Sequence, residues 1–298
     1  MRNPIRSIAR RLLATESPWN PKVIAGRAAA AVLPDRTLHG LKRAYYGHLV
    51  ARLPEDFLET DALLVKHLVS AGDHVIDIGA SIGVYTRFLS ELVGPNGRVW
   101  SFEPIAETFE FLENNVHRMG LQNVTLVKSA ISDTAGLEEM VIPTYRWGTD
   151  CFYDARIASA PVYDRHSPVK SSWKSEEVTS TTLDVFFSRR EAKISFIKCD
   201  ANFHELACLR GGLRTLRDSK PAMLIEVRPD PDDPNTTGFE TFALLRGEGY
   251  GAYWFDARTL RARHPGERSQ NYFFLTSEHV EGLQAKGLLD PQLGKAER

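Results

Sequence analysis

Two acidic residues and two glycines carry the strongest chemical signal in this chain. In Val75-Ile-Asp-Ile-Gly-Ala-Ser-Ile-Gly-Val-Tyr-Thr86 an apolar run breaks at Asp77, passes Gly79 and Gly83, and re-enters a periodic segment from Val84 to Val93. This is the order of buried strand, tight turn and helix that opens a nucleotide-binding α/β unit. The spacing Asp77-x-Gly79-x-x-x-Gly83 differs from the G-x-G-x-x-G arrangement that cradles a dinucleotide pyrophosphate. Small residues there let an adenosine-bearing ligand lie close to the backbone, and an acidic residue at the strand end can meet a cationic amino-acid group. S-Adenosylmethionine, with a sulfonium, an ammonium and a carboxylate but no phosphates, meets those conditions. A second carboxylate, Glu103, closes Arg98-Val-Trp-Ser-Phe-Glu103-Pro, 26 positions after Asp77. At a strand end that far beyond the first turn, it is placed to accept both ribose hydroxyls.

A later group faces the same problem from the other side. Asp200 ends the apolar strand Ile194–Cys199, His204 opens the next helix, and Glu226 sits near the end of the strand Ala222–Val227. Ligands of open α/β sheets bind outside the carboxyl ends of such strands. Methyl transfer from a sulfonium is an in-line displacement, so the protein chiefly aligns the reacting atoms. An alcohol acceptor must also lose its proton, and a general base contributes roughly 10²–10⁴-fold. His204 is the candidate base. Asp200 orients or charge-stabilises it, or sits near the sulfonium; Glu226 is a secondary candidate, and Glu205 suits the helix N-terminus. Asp200, Asn202, His204 and Glu226 offer oxygens and a nitrogen to a divalent ion, but no metal is expected, since hard cations need several converging oxygens.

These residues need a sheet to hold them. From Asp73 onward, strands at 75–78, 98–102 and 123–128 alternate with helices at 84–93 and 105–119, the last stopped by Gly120. Short connections between such units imply parallel strands with right-handed crossovers. Residues 143–178 break the pattern with a polar stretch that carries Tyr145, Trp147, Phe152, Tyr153, Tyr163 and Trp173. A long loop with many aromatics reads as a lid-like insertion that contacts substrate. Regular structure resumes with a short helix at 181–187, the strand ending at Asp200, a helix from His204 to Leu216, the strand 222–227 and a helix 238–247. The strands Gly251–Phe255 and Asn271–Leu275 then close the sheet as an antiparallel edge pair. Residues 1–72 form a helical extension, broken at Pro18, Pro21 and Pro34, with too little apolar mass for a core of its own.

Composition bounds the rest. The 298 residues are 43% hydrophobic and 25% charged, with a net charge of −1. That balance gives no electrostatic case for nucleic acid as a partner, and no Asp/Asn-Pro-Pro-aromatic block follows Cys199 to suggest amino-methylation of DNA bases. The charge is uneven: residues 1–53 hold ten Lys/Arg against two Asp/Glu. Ile5, Ile8 and Leu12 with Arg2, Arg6 and Arg10 make a basic amphipathic helix, read as a cover for the protein's own apolar surface and a route to a homo-oligomer. No run approaches 18 apolar residues, so no stable membrane insertion is expected, and the basic N-terminal stretch is not expected to act as a secretory signal. Cys151, Cys199 and Cys208 lack metal spacing and fit a reducing cytoplasm as small buried hydrophobes.

Taken together, Val-Ile-Asp-Ile-Gly-Ala-Ser-Ile-Gly-Val-Tyr-Thr, Ser-Phe-Glu-Pro, Asn-Val-Thr-Leu-Val, Thr-Leu-Asp, Phe-Ile-Lys-Cys-Asp-Ala-Asn-Phe-His-Glu-Leu and Leu-Ile-Glu-Val, in order over residues 73–227, resemble the FkbM-type class I methyltransferases. The resemblance implies a Rossmann-like domain over 73–298 with a mostly parallel seven-stranded sheet and helices on both faces. It also implies S-adenosylmethionine as cofactor and O-methylation of a small-molecule acceptor, of sugar or natural-product type. By the family motifs Asp77, Gly79 and Gly83 border the methionine part, with Ala80, Ser81, Tyr85 and Thr86 of the same block. Glu103 and Pro104 take the ribose, Ala130, Ile131 and Asp133 the adenine edge, and Asp200 and His204 face the methyl-transfer site. Asn202 and Phe203 stand where the family reads Glu-Gly. Glycine adopts positive φ freely and phenylalanine does not, so the acceptor pocket is expected to differ. N-methylation of a small amine and a non-catalytic cofactor-binding partner protein are the alternative readings.

Overall fold

The computed structural model describes residues 33–52, 60–145, 152–160, 170–190, 192–256 and 258–290. The amphipathic segment at residues 1–12, Pro18, Pro21 and Cys151 lie outside them.

The main sheet is built on β1 (His74–Ile78), whose period-two pattern divides two cores. Ile76 and Ile78 face one side with Trp100, Phe102, Ile197, Cys199, Met223 and Ile225. Val75 faces the other with Val99, Phe196, Leu224 and Phe273. On either side of β1 run β2 (Arg98–Phe102) with β3 (Val124–Val127), and β8 (Ile194–Cys199) with β9 (Ala222–Glu226), all parallel. The chain therefore winds outward from β1 toward β3, then returns to β8 on the opposite side. The connection reverses between β1 and β8, and in doubly wound sheets a crevice opens at that reversal.

Helices cover both faces: α3 (Val84–Val93) with α2 (Asp61–Leu68) on one, and α5 (Leu183–Phe186), α6 (Glu205–Arg210), α7 (Leu213–Ser219) and α8 (Thr237–Gly247) on the other. α1 (Asp35–Arg52) lies on α4 (Ala106–Met119). Val50 meets Ile82 and Phe111 there, and Lys42 pairs with Glu107 at 2.9 Å.

Three expectations are corrected. The sheet has eight strands rather than seven. β10 (Gly251–Phe255) and β12 (Asn271–Leu275) form the expected antiparallel edge, but Leu260–Ala262 (β11) pairs onto β10 as well. The helix read from His204 to Leu216 is two helices, because Asp184 caps the second. Its carboxylate accepts from the backbone N–H groups of Arg214 and Thr215 and from the Thr215 hydroxyl. The Asp of the Thr-Leu-Asp block thus serves the fold.

The largest difference lies in the stretch read as a loop over 143–178. Gly136–Tyr145 (β5) and Lys170–Thr181 (β7) form a long antiparallel ladder, joined by β4 (Ala130–Ile131) and β6 (Arg156–Ile157) in a separate four-stranded sheet. Met140, Ile142, Ile157 and Val178 pack beneath it with Ile105 and Ala155. Apart from Trp173 and Val178, Ser, Thr, Lys and Glu fill β7, so its one-sided burial hides behind a polar composition.

Candidate active site

The loop after β1 and the loop after β8 are stitched together at the crevice. The Gly79 and Ala80 N–H groups both donate to the Phe102 carbonyl at 3.0 Å, and the Asp200 N–H donates to the Ile78 carbonyl at 3.1 Å. Gly79 has φ +76°, and a Cβ there would collide with the Asp200 carbonyl oxygen. The glycine is required by the second loop as much as by any ligand.

Two clefts adjoin this crossing. The first, about 700 Å³ with its mouth, is apolar for most of its wall: Ile78 and Phe102 from the main sheet, Ala130, Ile131, Met140 and Ile157 from the second sheet, and Phe152 and Ala155 from the turn before β6. Glu103, Thr108, Ser129, Asn202 and His204 supply its polar groups. The second, about 760 Å³, lies over the ends of β1, β8 and β9 and is lined by Ala80, Ile82, Val84, Tyr85, Lys198, Cys199, Leu224, Glu226 and Asn271. Gly79, Ser81 and Asp200 border both.

Glu103 is buried, with its carboxylate almost fully used. Oε2 accepts from the Ser81 N–H at 2.9 Å; Oε1 accepts from the Ile105 N–H at 3.1 Å and the Thr108 hydroxyl at 2.6 Å. A carboxylate offers about four acceptor positions, so one position on Oε2 remains for a ligand hydroxyl, not the two that the sequence reading assigned. Burial raises its pKa, and these three hydrogen bonds oppose the rise.

Asp77 lines neither cleft. It is fully buried beneath α3, accepting from the Thr86 hydroxyl at 2.7 Å, while Thr86 also bonds Ser101 at 2.9 Å. Strand alternation explains this: Asp77 shares the face of Val75, toward α3. Asp77 and Thr86 therefore hold the helix that follows the glycine loop, and Gly83, at φ +95°, begins it. Asp133 is exposed and outside both clefts, whereas Pro104, Ala130 and Ile131 line the first and Ala80 and Tyr85 the second.

Lys198, which the sequence reading passed over, sits at the centre of the site. It is in register with Asp77 on the neighbouring strand, pairs with Asp200 at 3.1 Å and lies 5.0 Å from the Tyr85 ring centroid. Burial alone would lower its pKa, but Asp200 and Asp77 outweigh burial and hold it above the ordinary lysine value. A lysine inside the apolar run Ile-Ser-Phe-Ile-Lys-Cys was the available signal, since lysine is seldom buried unpaired. Glu226 is pushed up to about 7 by burial and by Asp200, with Arg228 paired to it at 2.8 Å opposing.

His204 borders the first cleft only, with Nε2 3.0 Å from the Ser132 hydroxyl oxygen. Burial lowers its pKa, against the pull of Glu138 and Asp133. The turn before it runs through two left-handed residues, Asn202 at φ +47° and Phe203 at +74°. Phe203 thus takes the positive-φ conformation that phenylalanine does not adopt freely. The Arg228 guanidinium lies 5.6 Å from its ring centroid, and the Asn202 amide donates to the Ala155 carbonyl at 2.9 Å, tying the turn to the second sheet. Left-handed backbone costs a non-glycine residue roughly 1–2 kcal/mol, and these contacts offset it.

Glu205 is buried, accepts from the Ala201 N–H at 2.9 Å, and is pushed up to about 8 by burial. Its folded pKa exceeds the unfolded value of 4.5, so the folded state binds the extra proton and stability falls as pH rises from about 4.5 to 8. Glu205→Gln keeps the acceptor without the charge. Its advantage in melting temperature over the wild type should be largest at pH 8.5 and vanish near pH 4.5; a constant difference across that range would exclude Glu205 as the titrating group.

The model of the FkbM methyltransferase domain matches residues 77–251, more than half of the chain. The chain belongs to the FkbM methyltransferase family. Protein-L-isoaspartate O-methyltransferases are similar over a short stretch. That of Methanococcoides burtonii is 36% identical over 59 residues, 20% of this chain and 29% of the relative. That of Aeropyrum pernix is 39% identical over 56 residues, 19% and 22% of the two. The chain thus spans less than a third of the length of these curated relatives. Among solved structures, an FkbM methyltransferase from Methylobacillus flagellatus is 16% identical with a TM-score of 0.43, over 85% of this chain and 59% of that one. As an FkbM methyltransferase domain, the chain has the class I α/β fold, and the family's cofactor is S-adenosylmethionine. The residues present fit that molecule: an open acceptor position on Glu103 for a hydroxyl, an apolar slot for a flat ring, and a glycine crossing that admits close approach. No helix among the described residues is long and apolar enough to cross a membrane.

Proposed function

We propose that this FkbM methyltransferase uses S-adenosylmethionine to methylate a hydroxyl of a small acceptor of sugar or natural-product type. The observation that carries the reading is the meeting of two clefts at Gly79, Ser81 and Asp200, over the carboxyl ends of β1 and β8. The first cleft suits the adenosine and the second the acceptor, so the transfer takes place at their shared border. The bound cofactor supplies an electrophilic methyl on a sulfonium. Asp200, half exposed and held by Lys198, presents its carboxylate to that border, where negative charge favours a cation.

His204 does not line the second cleft, which speaks for another group as the proton acceptor in this reading. Glu226 does line it, and a carboxylate poised near neutrality is suited to take up a hydroxyl proton. Calorimetric titration with S-adenosylmethionine and S-adenosylhomocysteine tests the reading. Micromolar binding is expected in the wild type, weakened at least about a hundredfold in Glu103→Ala, which removes a charged acceptor and orphans three donors. Unchanged affinity in a folded Glu103→Ala variant would remove the basis for placing the ribose in the first cleft.

A further inference from the structure

The pairing of His204 with Ser132 is not explained by methyl transfer. Ser132 is buried directly after Ala130 and Ile131, which wall the first cleft. His204 opens α6 without capping it through its side chain. Its ring is held from Nε2 by the Ser132 hydroxyl, and Nδ1 is the ring nitrogen outside that contact on a residue that lines the cleft.

The surroundings of the serine favour one tautomer. Two carboxylates lie within reach of its hydroxyl, Glu138 at 3.4 Å and Asp133 at 3.5 Å. Carboxylates attract the hydroxyl proton, and a Ser132 hydroxyl turned toward them accepts from Nε2–H, the arrangement on which the proposal rests. The imidazole then carries its proton on Nε2, and Nδ1 is an acceptor. Burial keeps the ring neutral near pH 7 and preserves that acceptor.

Resting on the cofactor reading above, we propose that Ser132 and His204 form a purine-reading pair, in which Nδ1 accepts a hydrogen bond from the exocyclic amino group of the adenine. The apolar slot takes the ring faces, and a slot of that kind needs a few convergent polar groups to set orientation. With the ribose at Glu103, the 6-amino edge is the part of the purine most remote from the anchor. A 6-oxopurine would place a carbonyl oxygen against an acceptor nitrogen, and a buried site rejects a partner that leaves its polar groups unpaired. His204 is then a cofactor-specificity residue, and the acceptor's proton is handled in the second cleft.

The test compares calorimetric affinities for S-adenosylhomocysteine and S-inosylhomocysteine, with melting curves run on every variant. The wild type should prefer the adenosyl ligand by about tenfold or more, the worth of one buried hydrogen bond. His204→Ala and Ser132→Ala should bring the two affinities to within about twofold, by weakening the adenosyl ligand. His204→Asn, whose amide reaches the position of Nδ1, should retain part of the preference. A preference that survives both alanine variants overturns the proposal, as does an equal loss for both ligands, which marks general loosening of the cleft. Wild-type protein that binds neither ligand overturns the cofactor reading together with it.

Discussion

Lys198→Met should lower the stability of the domain by about 3–5 kcal/mol, the cost of removing one partner from a buried charge pair. Methionine matches the length of the lysine stem, so the loss reports charge and not a cavity. Asp77 is fully buried, its Oδ1 is without a hydrogen bond, and Lys198 is its register partner on the next strand. Without the ammonium, Asp77 must either stay charged in an apolar layer or take up a proton. Its folded pKa already lies above the ordinary aspartate value because of burial, with Lys198 opposing; the variant loses that opposition. A carboxylate raised further in the folded state contributes stability that is present at low pH and lost as pH rises. The deficit of Lys198→Met should therefore be small near pH 4 to 5 and full at pH 7.5, where it corresponds to roughly 10 °C in melting temperature. Adding Asp77→Asn should restore most of it at pH 7.5. Equal deficits at both pH values, with no recovery in the double variant, would show that Lys198 acts through packing of its stem against Tyr85.

The sequence made the sheet legible because its strands are apolar, short and regularly spaced by amphipathic helices. It also placed Glu103 at a strand end, and the structure puts that carboxylate in the wall of the first cleft. Asp77 shows the limit of motif reading. Its position at the strand end is a local fact, but its direction follows from strand parity, which groups it with Val75 beneath α3. Lys198 was visible as a charge in an apolar strand, with Asp200 two positions on, yet its second carboxylate, Asp77, lies 121 positions away and becomes its neighbour only through strand pairing. The second sheet was hidden for another reason. β7 presents Lys, Ser, Glu and Thr to solvent, and only the partner strand shows that Val178 has a core to join. The tautomer of His204 likewise depends on Ser132, Asp133 and Glu138, which no spacing along the chain connects to it.

Gly79→Ala is expected to be the most damaging single methyl in the site. At φ +76° an alanine pays roughly 1–2 kcal/mol for the left-handed backbone alone. The added Cβ would also meet a backbone carbonyl, that of Asp200, which cannot rotate away as a side chain can. The Asp200 N–H is bonded to the Ile78 carbonyl and the Gly79 N–H to that of Phe102, so relief of the clash must break one crossing bond or the other. Each lost buried hydrogen bond costs about 1–3 kcal/mol when its partner is left unsatisfied. The sum is about 3–4 kcal/mol, or roughly 10 °C in melting temperature. Gly83→Ala is the matched control: it shares a positive φ, but its Cβ would meet Leu112 Cδ1 at 2.8 Å, the flexible end of a side chain. It should lose less than half as much. Because the same crossing borders both clefts, Gly79→Ala should weaken S-adenosylhomocysteine even at temperatures where the variant is folded. A Gly79→Ala protein that melts within about 2 °C of the wild type, a shift of about 1 kcal/mol or less, would mean that the two loops move independently. The shared border of the clefts would then be a feature of one conformation and not a built site.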